Sequence, residues 1–373
     1  MPYIYHELPA YPVERDMWDE IAAETRPIVI YGMGNGADKL IDRLAEYGVT
    51  VSDVFASDGF VRGHSFRGMR VLSLSEVREK YDDFLILLSF ASSRPEVIEM
   101  LRDVDAKYDM LVPDMPVADT SEYFDRNFYN LHYMDILRAH NSLADDESRA
   151  VFSAAVNYKL TGRLHYLLET YSTTDEIYSL LPREDVHHYI DVGAYNGDTL
   201  REALRYFPNL REVVAVEPDP RTYKRLRKYA DTVTEIDLHT VNAAALDTDG
   251  HGELLSAANR NSTVVATASY EHRTETVVTV TVDSLARHTD YIKYDVEGAE
   301  LPALVGSHNL IADSSPALLV SLYHRSRDIF YLTNYLNEKY PAYRPYLRRT
   351  LCIPAWELAL ILVPTDRGEK GNI

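Results

Sequence analysis

Short apolar runs that end in a glycine-bearing turn and lead into a helix-forming stretch occur in two separate blocks of this chain, and no other feature narrows its possible folds as much. In the first block, PIVIYGMGNGADKLIDRLAEYG carries an apolar run from Ile28 to Tyr31 into a turn with Gly32, Gly34 and Gly36, then into an amphipathic helix. Strands over Val49 to Phe55, around Val71 and over Phe84 to Phe90, with a helix from Pro95, continue an alternation that predicts a parallel sheet. The second block begins near Val186, where HHYIDVGAYNGDTLREALRYF, EVVAVEPDPRTYKRLRKYA, YIKYDVEGAELPALVG and PALLVSLYHRSRDIFYLTNYLNEKY repeat strand and helix. Between the blocks, from about Thr120 to Leu181, strand signals vanish and apolar and aromatic residues recur at helical spacing. The expected architecture is α/β: two Rossmann-like doubly wound sheets joined by a helical connector. The N-terminal domain is expected over 1–115, the connector over 116–185 and the C-terminal domain over 186–373. From about His251 to Leu285 the alternating β-branched residues of VVTVTVDSL predict an added antiparallel strand or hairpin.

A chain of 373 residues is longer than one core usually grows, which agrees with two domains. Its formal charge of −20 repels a phosphate backbone, so nucleic acid is excluded as the expected partner. No stretch reaches the roughly 18 apolar residues of a membrane span, and the start, MPYIYHELPAYPVERD, is neither basic nor apolar. No membrane association is therefore expected, and the expected location is cytoplasmic. The single cysteine, Cys352, rules out an intrachain disulfide and a cysteine-based zinc site, and is expected to be a buried, inert thiol.

In YIDVGAYNGDTL a strand ends at Asp191, and Gly193 and Gly197 flank a turn where the backbone must pass close to a ligand. The next helix starts near Asp198, whose carboxylate can cap it, and its first N–H groups face the crevice. Glu217 ends the following strand, where a carboxylate can accept hydrogen bonds from both ribose hydroxyls of an adenosine. These features alone fit NAD as well as S-adenosylmethionine. Structural alternatives stand beside them: Gly197 can serve helix–strand packing, and Asp295 and Glu297 can serve as a helix cap and first-turn charge. The adjacent His187 and His188 point to opposite faces of a strand and cannot share one ion. Acidic groups at the sheet edge, Asp295 foremost, could hold a divalent cation, but no ligand spacing demands one and no metal is expected.

The turn D-V-G-A-Y-N-G-D lacks the G-x-G-x-x-G pattern and, with V-E-P-D-P after it, resembles the first two motifs of class I S-adenosylmethionine-dependent methyltransferases. Tyr291 to Gly306, YIKYDVEGAELPALVG, resembles the signature I-K-x-D-x-E-G-x-E-x-x-x-L-x-G of the FkbM family. TVDSLA, VNAAALDTDG and PALLVSLYHRSRDIFYLTNYL agree in the order that family shows, so the resemblance spans about residues 186 to 350. It implies S-adenosylmethionine as cofactor and, in most members, O-methylation of sugars, polyketides and other secondary metabolites. It further implies that Asp191, Gly193 and Gly197, with Asn196 in the same loop, hold the methionine part of the cofactor, and Glu217 its ribose. Pro218 and Asp219 would flank the adenine, with Asn242 and Ala243 at its edge.

Under this resemblance Asp295, just past the strand YIKYD at the carboxyl edge of the sheet, approaches the methyl group, with Lys293 on the same face and Glu297 and Glu300 within one turn. A carboxylate or an imidazole within reach can take the acceptor's proton, and His324, beyond the next strand, is the neutral-pH candidate or else a hydrogen-bonded loop histidine. The expected acceptor is a saccharide or another small molecule. The N-terminal block resembles the Rossmann-like modules at the start of some sugar-nucleotide-modifying enzymes, with Asp58 and Gly59 as a nucleotide ribose site or a simple turn. That domain is expected to bind a nucleotide or the acceptor, or to mediate assembly with a second copy. The rival reading is an NAD(P)-dependent sugar-nucleotide enzyme driven by its glycine loop.

Overall fold

The computed structural model describes residues 7–57, 59, 61, 63, 65–118, 122–256, 263–264 and 273–365. Asp58, proposed above for a ribose site, lies outside the described residues. After helix α1 (Met17–Ala22), the N-terminal sheet is built from β1 (Ile28–Tyr31), β2 (Asp53–Phe55), the hairpin strands β3 (Ser65–Phe66) and β4 (Met69–Leu72), β5 (Leu85–Leu88) and β6 (Met110–Leu111). Helices α2 (Asn35–Glu46), α3 (Leu74–Lys80) and α4 (Pro95–Asp105) connect them. The order is β3-β4-β2-β1-β5-β6, parallel throughout except for β3. The unbroken apolar runs of β1 and β5 are buried along their whole length, as central parallel strands covered on both faces must be. The second strand is shorter than the sequence suggests, because pairing with β1 begins only at Asp53.

Four helices follow: α5 (Arg126–Ser142), α6 (Asp146–Thr161), α7 (His165–Glu169) and α8 (Thr174–Ser179). Asp125 and Asp145 accept hydrogen bonds at the starts of α5 and α6, and Gly162, at φ 63°, ends α6 in the left-handed conformation that suits glycine. Phe128, Ile136, Phe152 and Val156 pack into one core with Val192, Ile292, Leu318 and Leu360 of the C-terminal sheet. Tyr158, Leu164 and Leu167, by contrast, enter the core of the N-terminal sheet, so the helical segment is anchored in both.

The C-terminal half contains β7 (His188–Val192), α9 (Asp198–Tyr206), β8 (Glu212–Val216), α10 (Pro220–Ala230), β9 (Asp237–Val241), β10 (Ala244–Ala245), β11 (Gly250–Ser256), β12 (Thr263–Val264) and β13 (Arg273–Val280). It continues with β14 (Tyr291–Tyr294), α11 (Glu300–Val305), α12 (His308–Ser314), β15 (Ala317–Ser321), α13 (Asp328–Lys339), β16 (Tyr343–Arg349) and β17 (Leu358–Pro364). Its main sheet runs β16-β17-β15-β14-β7-β8-β9, with β17 antiparallel to both its neighbours. The expected hairpin forms: β11 and β13 pair antiparallel in a small sheet of order β10-β13-β11-β12. Strand order departs in both directions from the β7–β14 pair, which opens a crevice at their carboxyl ends, and the β1–β5 pair does the same in the first sheet.

The segment between β16 and β17 joins the halves. Ile353 pairs with Ser92 through two backbone hydrogen bonds, of 2.8 and 3.0 Å, and Ile353 and Ala355 lie in the core of the N-terminal sheet. Arg349, fully buried, donates to the carbonyls of Leu167, Thr170 and Cys352. No helix among the described residues is long and apolar enough to cross a membrane.

Candidate active site

The carboxyl edges of both sheets face one cavity of about 1440 Å³. Pockets for a single small ligand usually span about 300–1,000 Å³, so this one has room for two molecules. Gly193, Glu217, Pro218, Asp219, Ala243, Lys293, Asp295 and Glu297 are on its wall. Asp191 and His324 are completely buried behind it, and Asn196, Gly197 and Asn242 are not on the wall. Asn242 instead donates to the carbonyls of Glu217 at 2.8 Å and Pro218 at 3.1 Å, and so braces the loop that presents them.

The loop after β7 is shaped by close contact. Gly193 has φ 90°, and a Cβ there would lie 1.9 Å from the Asp295 carbonyl oxygen, so only glycine lets the two loops meet. Gly197 has φ 83° and stands at the helix start, where a Cβ would lie 2.6 Å from the Tyr229 ring. Packing against α10 is thus a real part of its role. Asp198, expected to cap α9, falls one position inside the helix and makes no cap; Gly197 takes the cap position. Tyr195, at a strained φ of 47°, donates its backbone N–H to Glu217 Oε2 at 3.0 Å. Asp219 N–H supplies the other Glu217 oxygen at 2.9 Å, while the Asp219 side chain caps α10. Burial pushes the Glu217 carboxyl up to about 8, against the pull of these two donors.

Asp191 accepts Thr199 Oγ1 at 2.5 Å through Oδ2, but its buried Oδ1 has no hydrogen-bond partner among the described residues and faces Lys293 Nζ at 3.7 Å. An orphaned, buried carboxylate oxygen next to a glycine cradle suits a ligand that brings its own N–H donors, such as the methionine ammonium of S-adenosylmethionine. Lys293 also reaches Asp295 Oδ2 at 3.4 Å; against burial, Asp295 and Asp191 keep the ammonium charged.

His324 Nδ1 lies 2.8 Å from Glu300 Oε1, and its Nε2 lies 3.6 Å from both Asp295 Oδ1 and Glu297 Oε2. Against the downward push of burial, Glu300, then Asp295 and Glu297, raise this imidazole to about 10. Asp295, Glu300 and His324 could together ligate a divalent ion, but with the imidazole protonated a buried cation already stands there. Tyr323 donates its hydroxyl to Asp295 Oδ1 at 3.1 Å. Burial penalises the Asp295 charge, yet Lys293 and His324 hold the carboxyl below its ordinary value. Glu297 is the opposite case: burial, together with Asp295 and Glu300, lifts it to about 7 despite His324. It also has φ 53°, a conformation that costs a non-glycine residue about 1–3 kcal/mol.

Several wall residues escape the sequence reading. Glu357, at φ 65° just before β17, is raised to about 7 by burial and by Asp295. Tyr323 stands beside His324 in the SLYH stretch, where only a hydrogen-bond partner distinguishes it from a packing aromatic. From the N-terminal half the wall is mostly apolar, with Met33, Leu88, Phe90, Val112 and Met115, and Asn35, Lys39, Ser89, Ser92 and Ser93 are its polar members. In that sheet a Cβ at Gly36 would lie 2.1 Å from the Ser89 carbonyl oxygen and one at Gly32 2.7 Å from Ser89 Oγ, so chain packing accounts for both glycines. Cys352 is buried and its thiol is pushed up to about 12 by burial, as an inert residue should be.

The family model described as the methyltransferase FkbM domain matches residues 191–349. The structure is similar to a solved methyltransferase FkbM from Methylobacillus flagellatus KT, with 21% identity, a TM-score of 0.69, and 96% of this chain and 94% of that chain covered. Two other solved structures match over about half of this chain. A putative methyltransferase from Streptococcus mutans in complex with SAH has 11% identity, a TM-score of 0.34, and covers 51% of this chain and 98% of its own. Aeropyrum pernix fibrillarin with natively bound S-adenosyl-L-methionine has 11% identity, a TM-score of 0.32, and covers 49% and 69%. No curated protein sequence gives a significant match. Residues 191–349, which carry the signature on β14, match the FkbM methyltransferase domain, and the fold of the chain is similar to that of a solved FkbM methyltransferase.

Proposed function

We propose that the chain is an S-adenosylmethionine-dependent O-methyltransferase whose acceptor, a saccharide or related polyhydroxylated metabolite, lies between the two sheets. The observation that carries this reading is the pairing of an ionised Asp295 with a near-neutral Glu297 on the wall of a cavity that also contains Gly193 and Glu217. Gly193 and the orphaned oxygen of Asp191 would hold the methionine part, Glu217 the ribose, and Pro218, Asp219 and Ala243 the adenine. When bound, the cofactor supplies an electrophilic methyl group on a sulfonium. Glu297, with a carboxyl near 7, takes the acceptor's hydroxyl proton. Asp295, fixed by Tyr323 and Lys293, would orient that hydroxyl for the transfer, and such positioning supplies much of the rate.

His324 does not serve as the base in this scheme, since a group at about 10 carries its proton at neutral pH; it holds Asp295, Glu297 and Glu300 together as their counter-charge. On the N-terminal side of the wall Asn35, Ser89, Ser92 and Ser93 offer partners to an acceptor's hydroxyls, beside apolar Met33, Leu88, Phe90, Val112 and Met115 that can cover the faces of its ring. The test is the pH–rate profile with a working acceptor. Because Glu297 must be ionised to accept a proton, turnover should rise through pH of about 7. Glu297→Gln should remove that limb. A limb that persists in the variant would place the proton acceptor elsewhere.

A further inference from the structure

At the opposite, amino-terminal edge of the C-terminal sheet, another cluster has no part in the proposed reaction. We propose that His188, His288 and Asp290 form a binding site for a divalent transition ion of the zinc type. Their ligand atoms all lie within 4.8 Å of one another. His188 Nδ1 is 3.1 Å from Asp290 Oδ2, and His288 Nε2 is 3.1 Å from Asp290 Oδ1. With bonds of about 2.0–2.1 Å, adjacent ligands of a tetrahedral ion stand about 3.3 Å apart, so these groups need move little to close on one.

The fold builds this convergence. Tyr189 and Tyr291 are register partners on the parallel strands β7 and β14, so the residues just before them are neighbours. Asp290 N–H donates to the His188 carbonyl at 2.9 Å. Thr289 points inward, fully buried, and donates its hydroxyl to the same carbonyl at 3.1 Å. Alternation then places His288 and Asp290 on one side. The Asp290 carboxylate is almost completely buried, and Oδ2 accepts the backbone N–H groups of His187 and His188, each at 3.0 Å. Such outer hydrogen bonds fix a ligating carboxylate, and His188 Nε2 faces Glu212 Oε2 at 4.0 Å, where a second carboxylate can steady the ring. His288 is half exposed, which leaves a fourth position open to water. Two imidazoles with one carboxylate are a borderline donor set, suited to zinc and unlike the all-oxygen shells of magnesium or calcium.

His187 supplies the control, since its Nδ1 lies 3.1 Å from the Asp185 carbonyl and its ring centre is 6.5 Å from that of His188. Full-length protein stripped with a chelator is titrated with zinc chloride by calorimetry and by thermal melting. Wild type should bind one equivalent at this site and melt at a higher temperature with zinc. His288→Ala and His188→Ala should each weaken that binding by more than about 100-fold, beyond the loss of an outer-shell partner. His187→Ala should leave it intact. Absence of saturable binding by wild type, or binding that survives in His288→Ala, would overturn the proposal; His288→Ala removes only a half-exposed ring, so its fold is expected to stay intact.

Discussion

The two crevices at the heart of this molecule are built alike and equipped differently. In each, a glycine lets the segment after a central strand touch the loop after a neighbouring strand: Gly36, in the first turn of α2, against the Ser89 carbonyl, and Gly193, in the loop after β7, against that of Asp295. Beyond that contact they diverge. The C-terminal crevice collects Asp191, Glu217, Lys293, Asp295 and Glu297, all withdrawn from solvent to some degree, whereas the N-terminal half offers the cavity mostly apolar side chains with a few neutral polar ones, and its Lys39 is spent on the carbonyls of Pro116 and Val117 at 3.2 Å. Glycine turns shape a space; buried, incompletely partnered charge gives that space a chemistry. Under the proposed function the first sheet would help to hold an acceptor and the second would perform the reaction.

The comparison breaks most readily at Glu297. Glu297→Gln should lower turnover by about 10²- to 10⁴-fold, the range of a positioned acid–base group, while calorimetry finds S-adenosylmethionine affinity unchanged. Asp295→Asn comes next: a fall of about 10²-fold in turnover is expected if the carboxylate orients the acceptor. A variant as active as wild type at saturating acceptor would remove Asp295 from that role. Glu217→Ala should act on binding instead, weakening the cofactor by about 1.5–3 kcal/mol, since Glu217 is expected to hold the ribose hydroxyls. Unchanged affinity there would put the ribose elsewhere. The smallest effect is expected in the first crevice, where a Cβ at Gly34 meets nothing within 4 Å. Gly34→Ala should cost stability by about 1–3 kcal/mol through its φ of 115°, yet leave cofactor affinity as it was. A large loss of affinity in that variant would reverse the assignment of the two crevices.

Much of this contrast is legible in the chain itself. Both sheets follow from apolar runs punctuated by glycine, and Asp191, Glu217 and Asp295 stand at strand ends, where sequence position and sheet position coincide. What resists reading depends on groups distant along the chain. His324 looks like a neutral base until Glu300, Asp295 and Glu297 surround it and fix its proton. Glu357 enters the wall only because the link between β16 and β17 folds back over the cavity, and no local pattern marks it. Adjacent His187 and His188 cannot share one ion, and the sequence does not show that His288 and Asp290 come to lie beside His188 through the pairing of β7 with β14.

The link between β16 and β17 also bears on how the protein comes apart. Ile353 and Ala355 belong to the core of one sheet while their flanking strands belong to the other, and Arg349 is clamped to helical carbonyls between them. Neither half can lose its packing without exposing apolar surface in the other. On heating, the two sheets should therefore melt as one cooperative unit, with a calorimetric enthalpy matching the van't Hoff value. Lineages that inherit this arrangement would find the halves hard to recombine with other partners, because a break at the obvious boundary leaves part of one core behind in the wrong piece.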